Sequence, residues 1–111
     1  MAEGCADHRT CDTALVRVFQ LLGKRWNGLL VGTLAQGPAG YAELRRAVGG
    51  ISDSMLADRL TELTAHGLVH RDVRDGPPLS VSYRLTARGE ALLPALELLA
   101  AWANEHLPTG T

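Results

Sequence analysis

Residues 51–73 read ISDSMLADRLTELTAHGLVHRDV, and the period of their apolar positions changes once along the way. Met55 or Leu56, then Leu60 and Leu63, recur at the three- and four-residue steps of one helix face. Ser52 supplies an N-cap oxygen, and Asp53 sets a negative charge against the positive end of the helix dipole. Gly67 suits the left-handed backbone that closes a helix. From Leu68 to Val73 the period becomes two, as in a half-buried strand. Val81 to Leu85 repeats that alternation, and Asp75-Gly76-Pro77-Pro78 between them is turn chemistry. The stretch predicts a helix that runs into a two-stranded hairpin with a fairly long tip.

Upstream, three more helices are expected. Asp12 or Thr13 can cap the first, with Val18, Leu21 and Leu22 on its inner face and Gly23 at its end. The second is predicted from about Lys24 to Ala35, with Trp26, Leu29, Leu30, Thr33 and Leu34 as its buried stripe, and Gly37-Pro38 as its stop. The third covers about Tyr41 to Val48, with Leu44 and Val48 inward, and Gly49-Gly50 forms the turn after it. Downstream, Thr86 caps a last helix that reaches about His106, with Pro94 expected to kink it. The expected fold is mainly α with a small β-hairpin: two short helices joined by a glycine turn, then a hairpin, describe a winged helix-turn-helix. Residues 1–10 read as a flexible N-terminus and residues 11–107 as one domain.

Composition sets the bounds. The chain has 111 residues, 46% of them hydrophobic but only five aromatic, so its core is mostly Leu, Val and Ala. The formal net charge of −1 is no indiscriminate nucleic-acid binder's. Its distribution says more: residues 89–111 carry three Glu and no Lys or Arg. Any DNA contact is therefore expected away from the C-terminus. No apolar run approaches the ~18 residues needed to span a bilayer, and the polar N-terminus has no signal-peptide core, so no membrane partner and a cytoplasmic location are expected. Cys5 and Cys11 read as free thiols in a reducing compartment, since their spacing fits no common zinc motif. His8, His66, His70 and His106 share no ligand spacing. No metal and no cofactor are expected. With no phosphate loop, nucleophile motif or paired carboxylates, the sequence does not read as an enzyme.

Several runs resemble one family in order and spacing. They are Leu21-Leu22-Gly23-Lys24-Arg25-Trp26, Ala42-Glu43-Leu44-Arg45-Arg46, Gly50-Ile51-Ser52 and Met55-Leu56-Ala57-Asp58-Arg59-Leu60. Gly67-Leu68-Val69-His70-Arg71, Pro78, Tyr83-Arg84-Leu85-Thr86 with Gly89, and Ala101-Trp102-Ala103 continue the pattern. Together they resemble the HxlR-type regulators, a branch of the MarR-like winged-helix proteins, over about Cys11 to His106. The resemblance implies a homodimeric bacterial transcription factor, with the first and last helices forming the dimer. It also implies that the fourth helix reads the major groove, that the hairpin wing meets the DNA backbone, and that a cysteine before the first helix, here Cys11, is the candidate sensor of oxidants or electrophiles.

Candidate residues follow from chemistry and place. Ser52, Asp53, Ser54 and Ala57 are small or polar positions that let the fourth helix sit in a major groove about 12 Å wide. Arg59 either pairs with guanine or phosphate, or forms an i,i+3 ion pair with Glu62 on a solvated face. Arg45 and Arg46 are candidate phosphate clamps, and Arg71, Arg74 and Arg84 decorate the wing, with Arg74 nearest its tip. Asp72 and Asp75 weaken the wing as a clamp. Leu92, Leu96, Leu99, Trp102 and Ala103 form a wide apolar face suited to a twin helix. At a helix N-terminus with Arg9 nearby, Cys11 favours its thiolate. The partners expected are double-stranded DNA, a second copy of the chain, and a small-molecule effector or electrophile. The resulting function is a regulator, in the first instance a repressor, on a palindromic operator. The rival reading is a winged-helix module that binds protein and not DNA.

Overall fold

In the computed structural model the described residues are Thr10 and 12–109; Cys5 and Cys11 lie outside them. Five helices and a small sheet follow in the order α1 (Thr13–Leu22), α2 (Asn27–Leu34), β1 (Ala39–Gly40), α3 (Tyr41–Val48), α4 (Asp53–Ala65), β2 (Val69–Arg74), β3 (Ser80–Leu85) and α5 (Ala87–His106). This is the winged helix-turn-helix.

The cores of α3 and α4 follow their apolar periodicity. Leu44, Leu56, Leu60 and Leu63 are fully or almost fully buried, whereas Met55 is exposed. Ser52 caps α4 by accepting from the Met55 amide at 3.1 Å. Asp12 does the same for α1, accepting from the Ala14 and Leu15 amides. Between α3 and α4 the chain turns through Gly49 and Gly50, both at positive φ (69° and 78°), where a side chain on either would be strained.

Two expectations need correction. The second helix begins at Asn27 and not at Lys24, and its buried face is Asn27, Leu30, Val31 and Leu34. Leu29, expected inside, is 55% exposed, and Val31, not expected inside, is fully buried. The helix is apolar on nearly every side, so periodicity leaves its rotation undefined. Asn27 settles it: its Nδ2 donates to the Leu21 carbonyl at 3.0 Å, across the turn from α1. The second correction concerns the sheet. The hairpin gains a third strand, β1, which pairs antiparallel with β3 through Ala39 opposite Tyr83 and Gly40 opposite Ser82. The strand order is β1-β3-β2, so β3 is central. Two residues, one of them glycine, cannot display a period of two.

Where the hairpin meets α5 the packing is tight. Thr86 Oγ1 donates to the Gly67 carbonyl at 2.5 Å and accepts from the Gly89 amide at 3.1 Å, while the Thr86 amide donates to the Leu68 carbonyl at 3.0 Å. A Cβ on Gly89 would stand 2.2 Å from the Leu68 carbonyl oxygen, so only glycine fits. From this anchor α5 runs for 20 residues, about 30 Å at 1.5 Å per residue. Its first half packs on the core through Leu92, Leu93 and Leu96. Its second half has no fully buried residue.

Candidate nucleic-acid interface

The turn between α3 and α4 is held by side chains as well as by glycine. Tyr41, the first residue of α3, donates its hydroxyl to the Asp53 backbone carbonyl. One turn further along α3, Arg45 Nη1 meets Asp53 Oδ1 at 2.6 Å. This ion pair raises the Arg45 pKa above its ordinary value, through the hydrogen bond to Asp53 first and its charge second. Two side chains of one helix thus converge on the first residue of the next. Tyr41 was not among the sequence candidates, although its i,i+4 spacing to Arg45 places both on one face.

Around that corner lies a surface of the expected chemistry. Ser52, Asp53, Ser54 and Ala57 are all exposed on the first half of α4. Arg45 and Arg46 are exposed beside them, and Arg46 has no ion pair among the described residues. All six of these sequence candidates are exposed, and the Arg45–Asp53 pair joins the two helices that carry them.

Arg59 sits differently. Its side chain is only 17% exposed, and Nη1 meets Glu62 Oε1 at 2.8 Å, the i,i+3 pair weighed from the sequence. Its Nε is buried with no hydrogen-bond partner among the described residues. Glu62 is the hub of this corner. Its Oε2 takes Lys24 Nζ at 2.6 Å, and its Oε1 also accepts from Asn27 Nδ2 at 3.2 Å. The Glu62 carboxyl is held below its ordinary pKa, chiefly by the Lys24 hydrogen bond, against an opposing effect of burial. Because Asn27 also holds the end of α1, the network joins the α1–α2 turn to α4. Sequence reading missed Asn27 and Glu62 as a pair, since 35 positions separate them.

The wing arginines divide by face. Arg71 stands opposite Tyr83 in the ladder, on the face that Val69 buries against the core. With Leu60, Thr61, Thr64, Ala65 and Tyr83 it lines a cleft of about 300 Å³ between α4 and the sheet. Arg84 and Arg74 occupy the opposite face, opposite His70 and Ser80. Arg84 Nε meets Asp72 Oδ2 at 3.0 Å, and His70 meets the other Asp72 oxygen at 3.0 Å, so that carboxylate is already occupied. Arg74 is exposed, has no ion pair among the described residues, and is nearest the tip.

The expected dimer residues split along α5. Leu92 and Leu96 are half-buried on their own core, Ala103 is half-buried, and Leu99 and Trp102 are exposed. Further apolar side chains are open on the same arm and on α1: Leu98 (73% exposed), Leu107, Leu15 and Phe19. No residue of α1 is buried. A groove of about 480 Å³, lined by Leu22, Gly28, Leu29, Gly32, Leu96 and Ala100 among others, separates α2 from α5. Cys11, the candidate sensor, lies outside the described residues, one position before the Asp12 cap. Among the described residues no cluster of His, Cys, Asp and Glu could hold a metal, and no helix is long and apolar enough to cross a membrane.

The family model for the HxlR-like helix-turn-helix matches residues 21–111. The chain belongs to the HxlR-like family. The transcriptional regulator YodB of Bacillus subtilis is 41% identical to it over 92 residues, covering 83% of this chain and 82% of YodB. The structure of reduced YodB superposes with a TM-score of 0.79 at 37% identity, over 92% of this chain and all of the solved YodB chain. Diamide-treated YodB gives 0.72 at 38% identity, with the same coverage. A MarR-family regulator from Porphyromonas gingivalis W83 superposes with a TM-score of 0.82 at 29% identity, over 92% of this chain and all of its own. This HxlR-like chain is thus a helix-turn-helix transcriptional regulator with the winged fold of the MarR-like proteins.

Proposed function

We propose that the protein binds a palindromic DNA operator as a homodimer and represses transcription there. The observation that carries this reading is the outer face of the α3–α4 corner. Ser52, Asp53, Ser54 and Ala57 form a slim helix edge for the major groove, and Arg45 and Arg46 stand beside it for the phosphates that flank the groove. Arg71, from the cleft between α4 and the wing, and Arg74 and Arg84, from the outer face of the wing, add backbone contacts. The Arg45–Asp53 pair is exposed, so Arg45 can exchange that partner for phosphate at little cost.

Dimerisation through α1 and α5 supplies the second recognition helix. The exposed Leu99 and Trp102, with Leu92, Leu96 and Ala103 beneath them, form an apolar arm that a twin arm would cover. Two half-sites one helical turn apart, about 34 Å, require such a pair.

Cys11 makes the dimer responsive to oxidants or electrophiles. In the sequence Cys11 directly precedes the Asp12 cap of α1, and a helix N-terminus favours a thiolate. YodB, the relative studied both reduced and after diamide, supports that assignment.

The test is a titration of duplex DNA from the protein's own promoter, followed by fluorescence anisotropy at several salt concentrations, with and without diamide. Wild type is expected to prefer one palindromic site over random duplex. Cys11→Ser is expected to lose the diamide response and Cys5→Ser to keep it. Equal, weak binding to all duplexes would point to the protein-binding module instead.

A further inference from the structure

Around Glu62 the structure places two cations on one carboxylate. Lys24 takes Oε2 at 2.6 Å, and Arg59 takes Oε1 at 2.8 Å. Arg59 shares Oε1 with Asn27 Nδ2, which is 3.2 Å away. The three partners are not equally committed. Asn27 is fully buried and also holds the Leu21 carbonyl. Lys24 has the shortest contact of the three and makes no other hydrogen bond among the described residues. Arg59 contributes one Nη1 contact, and its Nε–H is buried without a partner. A guanidinium with a stranded donor gains from moving to any acceptor that satisfies more of it. If it leaves, Lys24 still neutralises Glu62, and Asn27 still donates to the vacated oxygen. The corner therefore holds one positive charge more than it needs, and Arg59 is the group that can leave.

Arg59 sits on α4 one turn beyond the exposed Met55 and two turns beyond Ser52 of the exposed edge, on the side of the helix that those positions share. A phosphate offers what Glu62 does not, an anion whose oxygens can take several N–H groups of the planar fork at once.

We propose that Arg59 is a detachable DNA contact held in reserve by Glu62, so that Glu62 sets how strongly the regulator grips DNA irrespective of sequence. This rests on the DNA-binding reading above and deepens it. In free protein the ion pair keeps Arg59 off the surface and lowers non-specific affinity. On a site where α4 is fully seated, Arg59 exchanges Glu62 for a backbone phosphate. Glu62 is thus a positioning residue for specificity: the reserved contact is made only where the fit is good.

The experiment compares wild type, Glu62→Gln, Arg59→Ala, the double variant Glu62→Gln/Arg59→Ala, and Asp58→Asn on random duplex and on the promoter duplex across a salt series. Glutamine keeps one acceptor oxygen, for Asn27 or for Lys24, and no longer holds a guanidinium by charge. Glu62→Gln is expected to bind random duplex about eightfold more tightly near 0.1 M salt, with a log–log salt slope steeper by about 0.9, the effect of one added phosphate contact. Its preference for the promoter site should fall correspondingly. The double variant should lose both changes. Asp58→Asn, which removes an exposed charge from the same helix, should leave the slope unchanged. A Glu62→Gln protein that binds both duplexes as wild type does, or more weakly, overturns the proposal and leaves DNA binding standing. So does a steeper slope that persists in the double variant, or appears equally in Asp58→Asn. Failure of wild type to bind any duplex overturns the DNA reading and this proposal with it. Should Glu62→Gln not fold, the Arg59 Nε–H resonance of wild-type protein decides, assigned by its loss in Arg59→Lys. It should move on adding promoter duplex, and a resonance that stays in place overturns the proposal.

Discussion

Gly89 is a position where one methyl group would be decisive. The missing Cβ would meet the Leu68 carbonyl oxygen at 2.2 Å, and that oxygen already accepts the Thr86 amide. Backbone cannot rotate away as a flexible side chain can. Gly89→Ala is expected to cost about 3 kcal/mol, the upper end for overpacking, although alanine ordinarily favours a helix. Urea unfolding should show a lower midpoint at an unchanged slope. Glu62 matters through its charge. Its folded-state pKa is depressed, so it contributes stability above the unfolded carboxylate value of about 4.3, and that contribution is lost as pH falls through the lower folded value. Lys24, Arg59 and, at 3.9 Å, His66 face it. Thermal unfolding should therefore fall more steeply on acidification below about pH 4.5 in wild type than in Glu62→Gln, with no difference between their slopes near neutrality.

Among the elements, the wing is where face matters more than charge count. Arg84 is tied to Asp72, Arg71 looks into the cleft beside α4, and Arg74 alone of the three is both untied among the described residues and near the tip. Arg74→Ala is expected to weaken promoter and random duplex alike and to reduce the salt slope by about 1, whereas Arg84→Ala should change the slope less. Anisotropy titrations at two salt concentrations separate these outcomes. The contrast also shows how legible the elements were. Helix α4 and the hairpin could be read because their apolar positions keep a clean period and their ends carry Ser52, Gly67 and turn residues. The rotation of α2 could not, because a helix apolar on all sides carries no phase; a long-range hydrogen bond from Asn27 supplies it. Strand β1 is too short to carry a pattern. The candidate positions on α3 and the first half of α4 were legible as exposed polar sites on a short helix pair. The inward turn of Arg59 was only half legible: Glu62 was visible as an i,i+3 neighbour, but Lys24 and Asn27 join it from 38 and 35 positions away.

The whole molecule is a compact winged body with an unfinished arm. No residue in the second half of α5 is fully buried, and none in α1 is. Leu99→Glu would place a charge within that apolar arm without touching the core. It is expected to convert the dimer to monomer in light scattering at micromolar concentration, to weaken promoter binding, and to leave the circular-dichroism spectrum of the monomeric fold intact. Trp102 fluorescence should report the same transition through its change in solvent exposure. The sheet has a mechanical consequence of its own. Because β3 is central, the β2–β3 wing is joined through β3 to β1, which leads directly into Tyr41 and α3. The hairpin is a cantilever whose clamp is the root of the helix-turn-helix. A load on its tip is borne as torque at Tyr41, whose hydroxyl grips Asp53 at the start of α4. Pushing on the wing therefore turns α4.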